Sequence, residues 1–243
     1  MQRMLTPELM DDPAVPRREL EQSLRYIRAV NRRLSGTHAL LHHLRRWTRD
    51  WPRGKPVTLL DIGTGSADIP VAVRTWGRRR TPPLDVRITG VDIHDLTLDL
   101  AREHVLEHLS RTGDDPSAVT LLRADARRLA EHFPTRAFHF VHAGLFLHHL
   151  PDFEVLTVLA IMDKLASRGI VWNDLVRARW AAAAVHLILI GQPHIVRHDA
   201  RASVRAGFTK HEVLDFARRA GIGNPSYRTF LFHRFTLTGE KPP

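Results

Sequence analysis

Short apolar runs alternate along the chain with segments in which apolar residues recur every three or four positions. The runs are typical of buried β-strands, and the recurring positions are typical of amphipathic helices. Strands that alternate with helices form βαβ units, so we predict a parallel sheet covered by helices. The predicted strands span 57–60, 87–93, 119–123, 138–144 and 170–175, and the helices between them span 69–79, 96–110, 127–131 and 154–166.

The flanking regions show a different pattern. Two amphipathic helices are predicted before the first strand, and we expect residues 1–52 to form a helical cap on a domain that spans 53–243. Thr209 and Glu212 have the spacing of a capping box at a helix start. The two cap helices are predicted over 17–34 and 37–51. Beyond the fifth strand we predict an apolar helix over 177–190, then a polar connection over 192–208 and a helix over 209–220. The chain then forms a predicted hairpin of strands 226–232 and 234–238.

Composition narrows the function classes. The 243 residues suffice for one large α/β domain, and the lack of cysteine excludes disulfides, thiolate metal sites and cysteine nucleophiles. The net charge is +10, but 32 of the 36 basic residues are arginines spread over every helix, without interleaved aromatics. We interpret the charge as a compositional bias and not as nucleic-acid binding. No secretion signal is evident and the apolar run 181–190 is too short to span a bilayer, so we expect a cytoplasmic protein.

The loop after the first strand carries the most informative residues. Gly63 and Gly65 allow a sharp turn and close approach of a ligand to the backbone. A dinucleotide fingerprint would have a third glycine at position 68, where this chain has Asp68. Asp61 would repel a pyrophosphate and favour a cationic ligand. The loop therefore suits a positively charged adenosine derivative better than a dinucleotide.

The segment Leu60-Asp-Ile-Gly-Thr-Gly-Ser66 resembles the first motif of the S-adenosylmethionine-dependent methyltransferases with a Rossmann-like fold, D/E-x-G-x-G-x-G, with Ala67 at the last glycine. The resemblance covers roughly 57–238. It implies a doubly wound, mostly parallel seven-stranded sheet with an antiparallel C-terminal strand, and S-adenosylmethionine as cofactor. The residues that it implies for cofactor binding in this loop are Asp61, Gly63, Thr64, Gly65 and Asp68.

The ends of the next strands extend the resemblance. Asp92 lies where the family binds the ribose hydroxyls, and Ile93 would lie against the adenine. Asp125 and Ala126 resemble the family's adenine-contacting pair, and Ala143 lies at the end of the fourth strand. The alternative is that each acid only caps the following helix. The family often has F-D-x-V in the fourth strand, whereas this chain has His139 in place of the aspartate.

The segment L-H-H-L at 147–150 resembles small-molecule methyltransferases similar to those of quinone biosynthesis. Its place in the family implies that His148 and His149 lie near the sulfonium, where they would be candidate general bases, as would His198. Because the chain has 16 histidines, a structural role is the alternative for each. We expect no metal site, since no H-x-x-x-H arrangement has a convincing acid nearby. The candidate substrate-binding residues are Asn173 and Asp174 at the fifth strand's end, and Arg197 and Arg205 in a helical lid over about 176–208.

These observations predict methyl transfer to a small apolar acceptor, a hydroxylated aromatic, quinone or polyketide, with O-methylation favoured over C-methylation. A nucleic-acid methyltransferase is the main alternative. A cofactor-binding protein without catalysis is another, and an NAD-dependent dehydrogenase is the last. The apolar segment 181–190 is either a buried core helix, part of the lid, or a homodimer face.

Overall fold

The computed structural model describes residues 2–178, 189–231 and 233–242. A seven-stranded sheet with the order β3-β2-β1-β4-β5-β7-β6 forms its centre. Only β7 runs antiparallel to the other six strands, so the predicted fold class is confirmed. The strands are β1 Val57–Ile62, β2 Val86–Asp92, β3 Val119–Arg123, β4 Phe138–Gly144, β5 Ala166–Leu175, β6 Pro225–Phe230 and β7 Arg234–Glu240.

Helices cover both faces of this sheet. One apolar core joins α2, α3 and α4 to the β1–β2 face, and a second joins α6 and α8 to the face of β4, β5 and β7. A smaller cluster packs α1 against α7 above the strand ends. The helices are α1 Arg17–Arg33, α2 Gly36–Trp47, α3 Asp68–Arg78, α4 Asp95–Arg111, α5 Leu129–His132, α6 Asp152–Leu165, α7 His194–Ala206 and α8 Lys210–Arg219.

Aromatic side chains fill the centre of both cores. Trp172 of β5 is fully buried and meets Phe208 and Phe235 edge-on, with ring centroids 4.7 and 5.1 Å apart. On the opposite face, Trp47 of α2 stacks on Phe140 of β4 at 5.2 Å. The second helix of the predicted cap thus covers the sheet itself, while α1 lies near the strand ends.

Three local predictions have clear outcomes. The polar connection predicted over 192–208 is wrong, because residues 194–206 form α7, whose apolar face includes the buried Ile195 and Val196. The start predicted for the fifth strand, at residue 170, is also wrong: β5 begins at Ala166, and Gly169 pairs with both β4 and β7. The capping box of Thr209 and Glu212 is confirmed. The predicted helix 177–190 lies largely outside the described residues.

The described helices include none that is both long enough and apolar enough to cross a bilayer.

Residues 3–12 form an irregular segment with a short 3-10 helix at Leu9–Asp11; this segment, called here the N-terminal strap, contacts α7 and the 147–150 loop. The backbone N–H groups of Leu9 and Met10 donate to the carboxylate of Asp199, at 2.7 and 3.2 Å. The guanidinium of Arg3 donates to the carbonyl oxygens of His148 and Leu150. The strap therefore brings an acidic stretch of sequence onto the carboxyl edge of the sheet.

Candidate active site

A cleft of about 320 Å³ opens at the carboxyl ends of β1, β2 and β4, where the strand order reverses direction. Open α/β sheets bind ligands at this point because the loops diverge there. Ala143, a predicted cofactor residue, is instead buried below the cleft, whose wall is formed by its neighbours His142 and Gly144. The other predicted cofactor residues all line the cleft: Asp61, Gly63, Thr64, Gly65, Asp68, Asp92, Ile93, Asp125 and Ala126.

The loop after β1 depends on left-handed backbone conformations. Gly63 has φ +66°, and a Cβ there would lie 2.6 Å from the ring of Phe146. Ala67, at the position of the family's last glycine, has φ +55°. Left-handed geometry costs an alanine about 1–2 kcal/mol. Alanine in place of glycine therefore preserves the turn but strains the backbone at Ala67.

Asp61 forms a buried pair with a histidine that the sequence analysis missed. Its carboxylate accepts from His142 Nδ1 at 2.6 Å and from the Thr64 hydroxyl at 2.8 Å. His142 Nε2 and the Ser66 hydroxyl are buried without a hydrogen-bond partner among the described residues. Because both residues line the cleft, they are available to a polar ligand. A histidine inside an apolar strand gave the only sequence signal for this pair.

Asp92 is oriented by two backbone groups at the cleft. Its oxygens accept from the N–H groups of Gly65 at 3.0 Å and His94 at 3.1 Å. Burial raises the pKa of the Asp92 carboxyl. Asp125 instead pairs with Arg127 at 2.6 Å, which lowers the pKa of Asp125. It also accepts from the Arg127 N–H, so the helix-capping interpretation holds for Asp125 alongside its place at the cleft.

Six carboxylates thus line one cleft, because Asp11 and Glu154 join the four described above. Asp68 accepts from Asn31 of α1 at 3.0 Å, and burial raises its pKa as it does that of Asp92. Bringing a positive charge near such carboxylates relieves the cost of keeping them ionised away from water. The carboxylates and the unpaired His142 Nε2 together fit a ligand that carries a positive charge and polar substituents.

A second cavity, called here the apolar cavity, encloses about 210 Å³ between α1, α7 and the end of β5. Its wall is largely aliphatic, with contributions from Val30, Leu34 and Val196. It adjoins the cleft, because both are lined by Met10, Ile27, Leu145 and His149. A ligand in the cleft and a second molecule in the apolar cavity would therefore lie next to each other beside these four residues.

The polar end of the apolar cavity is formed by Glu8, His148 and His149. Glu8 Oε1 lies 3.5 Å from His148 Nε2 and 4.0 Å from His149 Nε2. The Nδ1 atoms point away from Glu8, towards the carboxylates of Asp174 at 2.7 Å and Asp11 at 2.8 Å. Glu8 and Asp11 come from the strap, for which the sequence predicted no role in the site.

Electrostatics change the role predicted for His148. Burial opposes its ionisation, but Asp174 and Glu8 outweigh this and raise the pKa of His148 to about 10. Burial also opposes ionisation of His149, whose pKa is nevertheless raised, mainly by Glu8. With these partners alone, His148 keeps its proton at neutral pH and donates, so it does not have the free lone pair of a general base.

The predicted substrate residues on β5 have structural partners. Asn173 donates to the carbonyl of Gly36 at 2.9 Å and accepts from the buried Arg234 at 3.2 Å. Asp174 is fully buried and accepts from His148. Neither lines the cleft or the apolar cavity. Asn173 therefore ties β5 to α2, and Asp174 acts on the site only through His148.

The predicted residues on α7 lie on its outer face. Arg197, His198 and Arg205 line a separate depression of about 450 Å³, whereas Val196, Asp199 and Ser203 line the apolar cavity. The reason is the helical period, which turns adjacent residues about 100° apart. His198 is therefore not placed to act on a ligand between the cleft and the cavity, and the two arginines are not placed to bind one.

The family model described as a methyltransferase domain matches residues 60–171, which contain the motif loop and most of the cleft. A little under half of the chain therefore resembles a methyltransferase domain. The acidic cleft fits the positive charges of S-adenosylmethionine, the cofactor that the motif loop implies. A search of the curated proteins finds no match to the sequence.

Solved structures share the fold of this chain at low sequence identity. A protein from Pyrococcus horikoshii OT3 has a TM-score of 0.59 at 15% identity, over 86% of this chain and 91% of its own. The plantazolicin methyltransferase BamL, in complex with a triazolic desmethylPZN analogue and S-adenosylhomocysteine, gives 0.58 at 14%, over 87% and 77%. A candidate O-methyltransferase from Nostoc punctiforme gives 0.56 at 16%; 87% of this chain aligns, but it spans only 59% of that protein.

We expect Arg3→Ala to destabilise the protein by about 2–3 kcal/mol, because it leaves several carbonyl groups without their donor. Arg3 is mostly buried, donates to Ala206 as well as the 147–150 loop, and lies 4.3 Å from the Phe208 ring centroid. Urea unfolding followed by circular dichroism measures the change. The matched control is Arg46→Ala, whose pair with Glu240 is exposed and should contribute under about 1 kcal/mol. Equal losses in the two variants would show that the strap is not anchored by Arg3.

Proposed function

We propose that this protein transfers a methyl group from S-adenosylmethionine to the hydroxyl oxygen of a small aromatic molecule held in the apolar cavity. The observation that carries the proposal is the shared wall of Met10, Ile27, Leu145 and His149 between the donor cleft and that cavity. The cavity provides a largely apolar site next to the donor, and Glu8, His148 and His149 form a cluster of polar groups within its lining.

The size and lining of the cavity support an acceptor of one substituted ring. An apolar cavity of about 150 Å³ holds benzene, so 210 Å³ leaves room for ring substituents. Aliphatic side chains and Tyr26 surround this volume. A hydroxyl on the ring would be directed to Glu8, His148 and His149, since these are the polar groups at the cavity's end. A quinol or polyketide ring with the same pattern fits the same description.

The chain's own residues have two tasks in this reaction. Asp61, Asp68 and Asp92 bind and orient the donor through its positive charges and hydroxyl groups. The apolar walls orient the acceptor and exclude water, and such positioning supplies several kcal/mol of the barrier reduction. When bound, S-adenosylmethionine supplies an electrophilic methyl group. The acceptor oxygen forms the new C–O bond, the C–S bond breaks with its electron pair on sulfur, and the hydroxyl proton passes to water.

The direct test is turnover on paired acceptors. The purified chain is incubated with methyl-labelled S-adenosylmethionine and either a one-ring catechol or quinol, or the same ring with every hydroxyl already methylated. We expect label in the hydroxylated member only, and proton–carbon NMR of the product assigns oxygen or carbon methylation. Carbon methylation would replace the O-methylation proposal. Tight S-adenosylhomocysteine binding without turnover on any acceptor would favour a non-catalytic role.

A cavity-filling variant tests the acceptor site separately. Ala200 of α7 lines the apolar cavity but not the donor cleft. Ala200→Trp should lower kcat/KM for the acceptor by at least about tenfold, because the indole occupies the acceptor's volume. S-adenosylhomocysteine affinity, measured by calorimetry, should stay within about twofold.

The matched control for this experiment is Arg201→Trp. Residue 201 is next on the same helix but lines the outer depression. It should leave both quantities unchanged. If both variants reduced turnover equally, or if Ala200→Trp had no effect, the acceptor would not bind in the apolar cavity.

A further inference from the structure

Three metal-ligating groups converge at the polar end of the apolar cavity. We propose that Glu8, His148 and His149 bind one divalent transition-metal ion, with zinc as the reference ion. Each side chain offers one ligand atom, and these atoms lie within 4.8 Å of one another. The three residues come from the strap and from the 147–150 loop, so tertiary structure alone assembles the set.

The spacing is close to what a zinc site needs. Nitrogen and oxygen ligands about 2.0–2.2 Å from a tetrahedral zinc ion lie about 3.4 Å from each other. Glu8 Oε1 is 3.5 Å from His148 Nε2 and 4.0 Å from His149 Nε2. Shortening these two distances by about 0.1 and 0.6 Å would bring Glu8 to the spacing of zinc ligands from both imidazoles, and the two histidine ligand atoms lie within 4.8 Å of each other.

The surroundings orient both histidines as metal ligands. His148 Nδ1 bonds to Asp174, and His149 Nδ1 bonds to Asp11. A metal-ligating histidine usually donates its second ring nitrogen to a carboxylate, which fixes the ring and directs the other nitrogen at the ion. The Ser203 hydroxyl donates to Glu8 Oε1 and positions that carboxylate. Each ligand in the set is thus held by a second residue.

An unpaired atom provides an independent observation. His148 Nε2 is buried, yet it has no hydrogen-bond partner among the described residues. It points into the cluster, where the nearest charged oxygen, Glu8 Oε1, lies 3.5 Å away. A buried polar nitrogen without a partner costs about 1–3 kcal/mol. An ion bound between the two atoms would satisfy both.

The ligand types select the class of ion. Two imidazoles and one carboxylate are typical of catalytic zinc and of non-haem iron(II), whereas magnesium and calcium prefer oxygen ligands throughout. Three protein ligands leave a coordination position free. His148 and His149 line the apolar cavity, so that position faces the acceptor.

The catalytic use of the ion rests on the proposed function. A hydroxyl oxygen bound to the ion loses its proton more readily, and the proton passes to water. The resulting oxyanion is the nucleophile that methyl transfer needs. The site itself does not depend on this step, so metal binding and methyl transfer are tested separately.

The experiment measures Zn²⁺ binding to the full chain, purified without a histidine tag and treated with chelator. Competition with a chromophoric zinc indicator gives stoichiometry and Kd. We expect one tight equivalent, and a Kd raised more than about 100-fold in His148→Ala and in His149→Ala, since each removes a ligand. Asp11→Asn keeps all three ligands and should raise Kd about 10–100-fold. A far-ultraviolet circular dichroism spectrum like that of the wild type and a cooperative melting transition show that each variant is folded.

The control variant is His194→Ala. His194 stacks near His198 on the outer face of α7, where surface histidines are the strongest source of adventitious zinc binding. This variant should keep the tight equivalent. Absence of tight binding, or tight binding that is unchanged in His148→Ala, would overturn the site.

Turnover in the presence of chelator separates the two proposals. Loss of activity that zinc restores supports the catalytic use of the ion. Full activity in the presence of chelator would show that the ion has no catalytic role, and the proposed methyl transfer would not be affected. Tight zinc binding with no turnover on any acceptor would support the metal site and count against the proposed function.

Discussion

Replacing Asp92 with alanine is expected to weaken S-adenosylhomocysteine binding by about 100-fold or more. In the proposed role, the Asp92 carboxylate accepts two ribose hydroxyls, and each hydrogen bond to a charged group contributes about 1.5–3 kcal/mol. The side chain lies at the cleft, held by the N–H groups of Gly65 and His94. Calorimetry on the variant and the wild-type protein measures the ratio.

Two further variants make the Asp92 result specific. Asp95→Ala removes an exposed carboxylate three positions along the chain, whose pair with Arg123 lies at the surface, and should not change the affinity. Asp92→Asn keeps one acceptor oxygen at nearly the same volume and should fall between the wild type and Asp92→Ala. If Asp92→Ala had unchanged affinity and an unaltered melting temperature, Asp92 would not bind the ribose hydroxyls.

Asp174→Ala is expected to have the largest effect on stability, a loss of about 3–5 kcal/mol. Asp174 is fully buried and accepts from His148 Nδ1, Trp172 Nε1 and the Leu175 N–H at 2.7, 3.2 and 2.8 Å. Without the carboxylate, all three buried donors lose their partner, at about 1–3 kcal/mol each, partly recovered by relaxation and water. For a chain of this length the melting temperature should fall by about 6–20 °C.

Urea unfolding monitored by circular dichroism and by tryptophan fluorescence measures this loss, and coincident transitions support a two-state treatment. The control is Asp99→Ala, which removes an exposed carboxylate paired with Arg102 and should change the free energy of unfolding by less than about 0.5 kcal/mol. A loss below about 1 kcal/mol in Asp174→Ala would mean that the three donors find other partners and that Asp174 does not hold His148.

The donor cleft is the part of the site that local sequence predicts best. Gly63 and Gly65 both adopt left-handed backbone, which glycine permits without steric cost. Asp61 and Asp92 lie at the ends of β1 and β2, and Asp125 lies two residues beyond β3. In a parallel sheet the carboxyl ends of neighbouring strands meet at one edge, so knowing the strands places the acids together. Ala143 was misplaced because the side chains of a strand alternate between faces, and its position turns it into the core.

The residues around the apolar cavity could not be predicted from local sequence, because tertiary packing decides which of them face the cavity. Helix α7 was not predicted, because its many arginines and histidines make the segment polar on average although one narrow face is apolar. Packing against α1 shows which residues of the helix point inward. His198 and Arg197 were selected by residue type, but the helical period turns both outward.

By itself, the sequence of this protein determined the succession of strands along the chain, the fold class and the acidic donor cleft, because each follows from periodicity or from a short motif. Tertiary structure decided how the strap meets the histidine pair. Asp11 and His149 bond across 138 positions of sequence, and Glu8 joins His148 in the same way. No periodic pattern encodes such a contact, because the path of an irregular segment depends on the groups that anchor it, here Arg3 and Asp199.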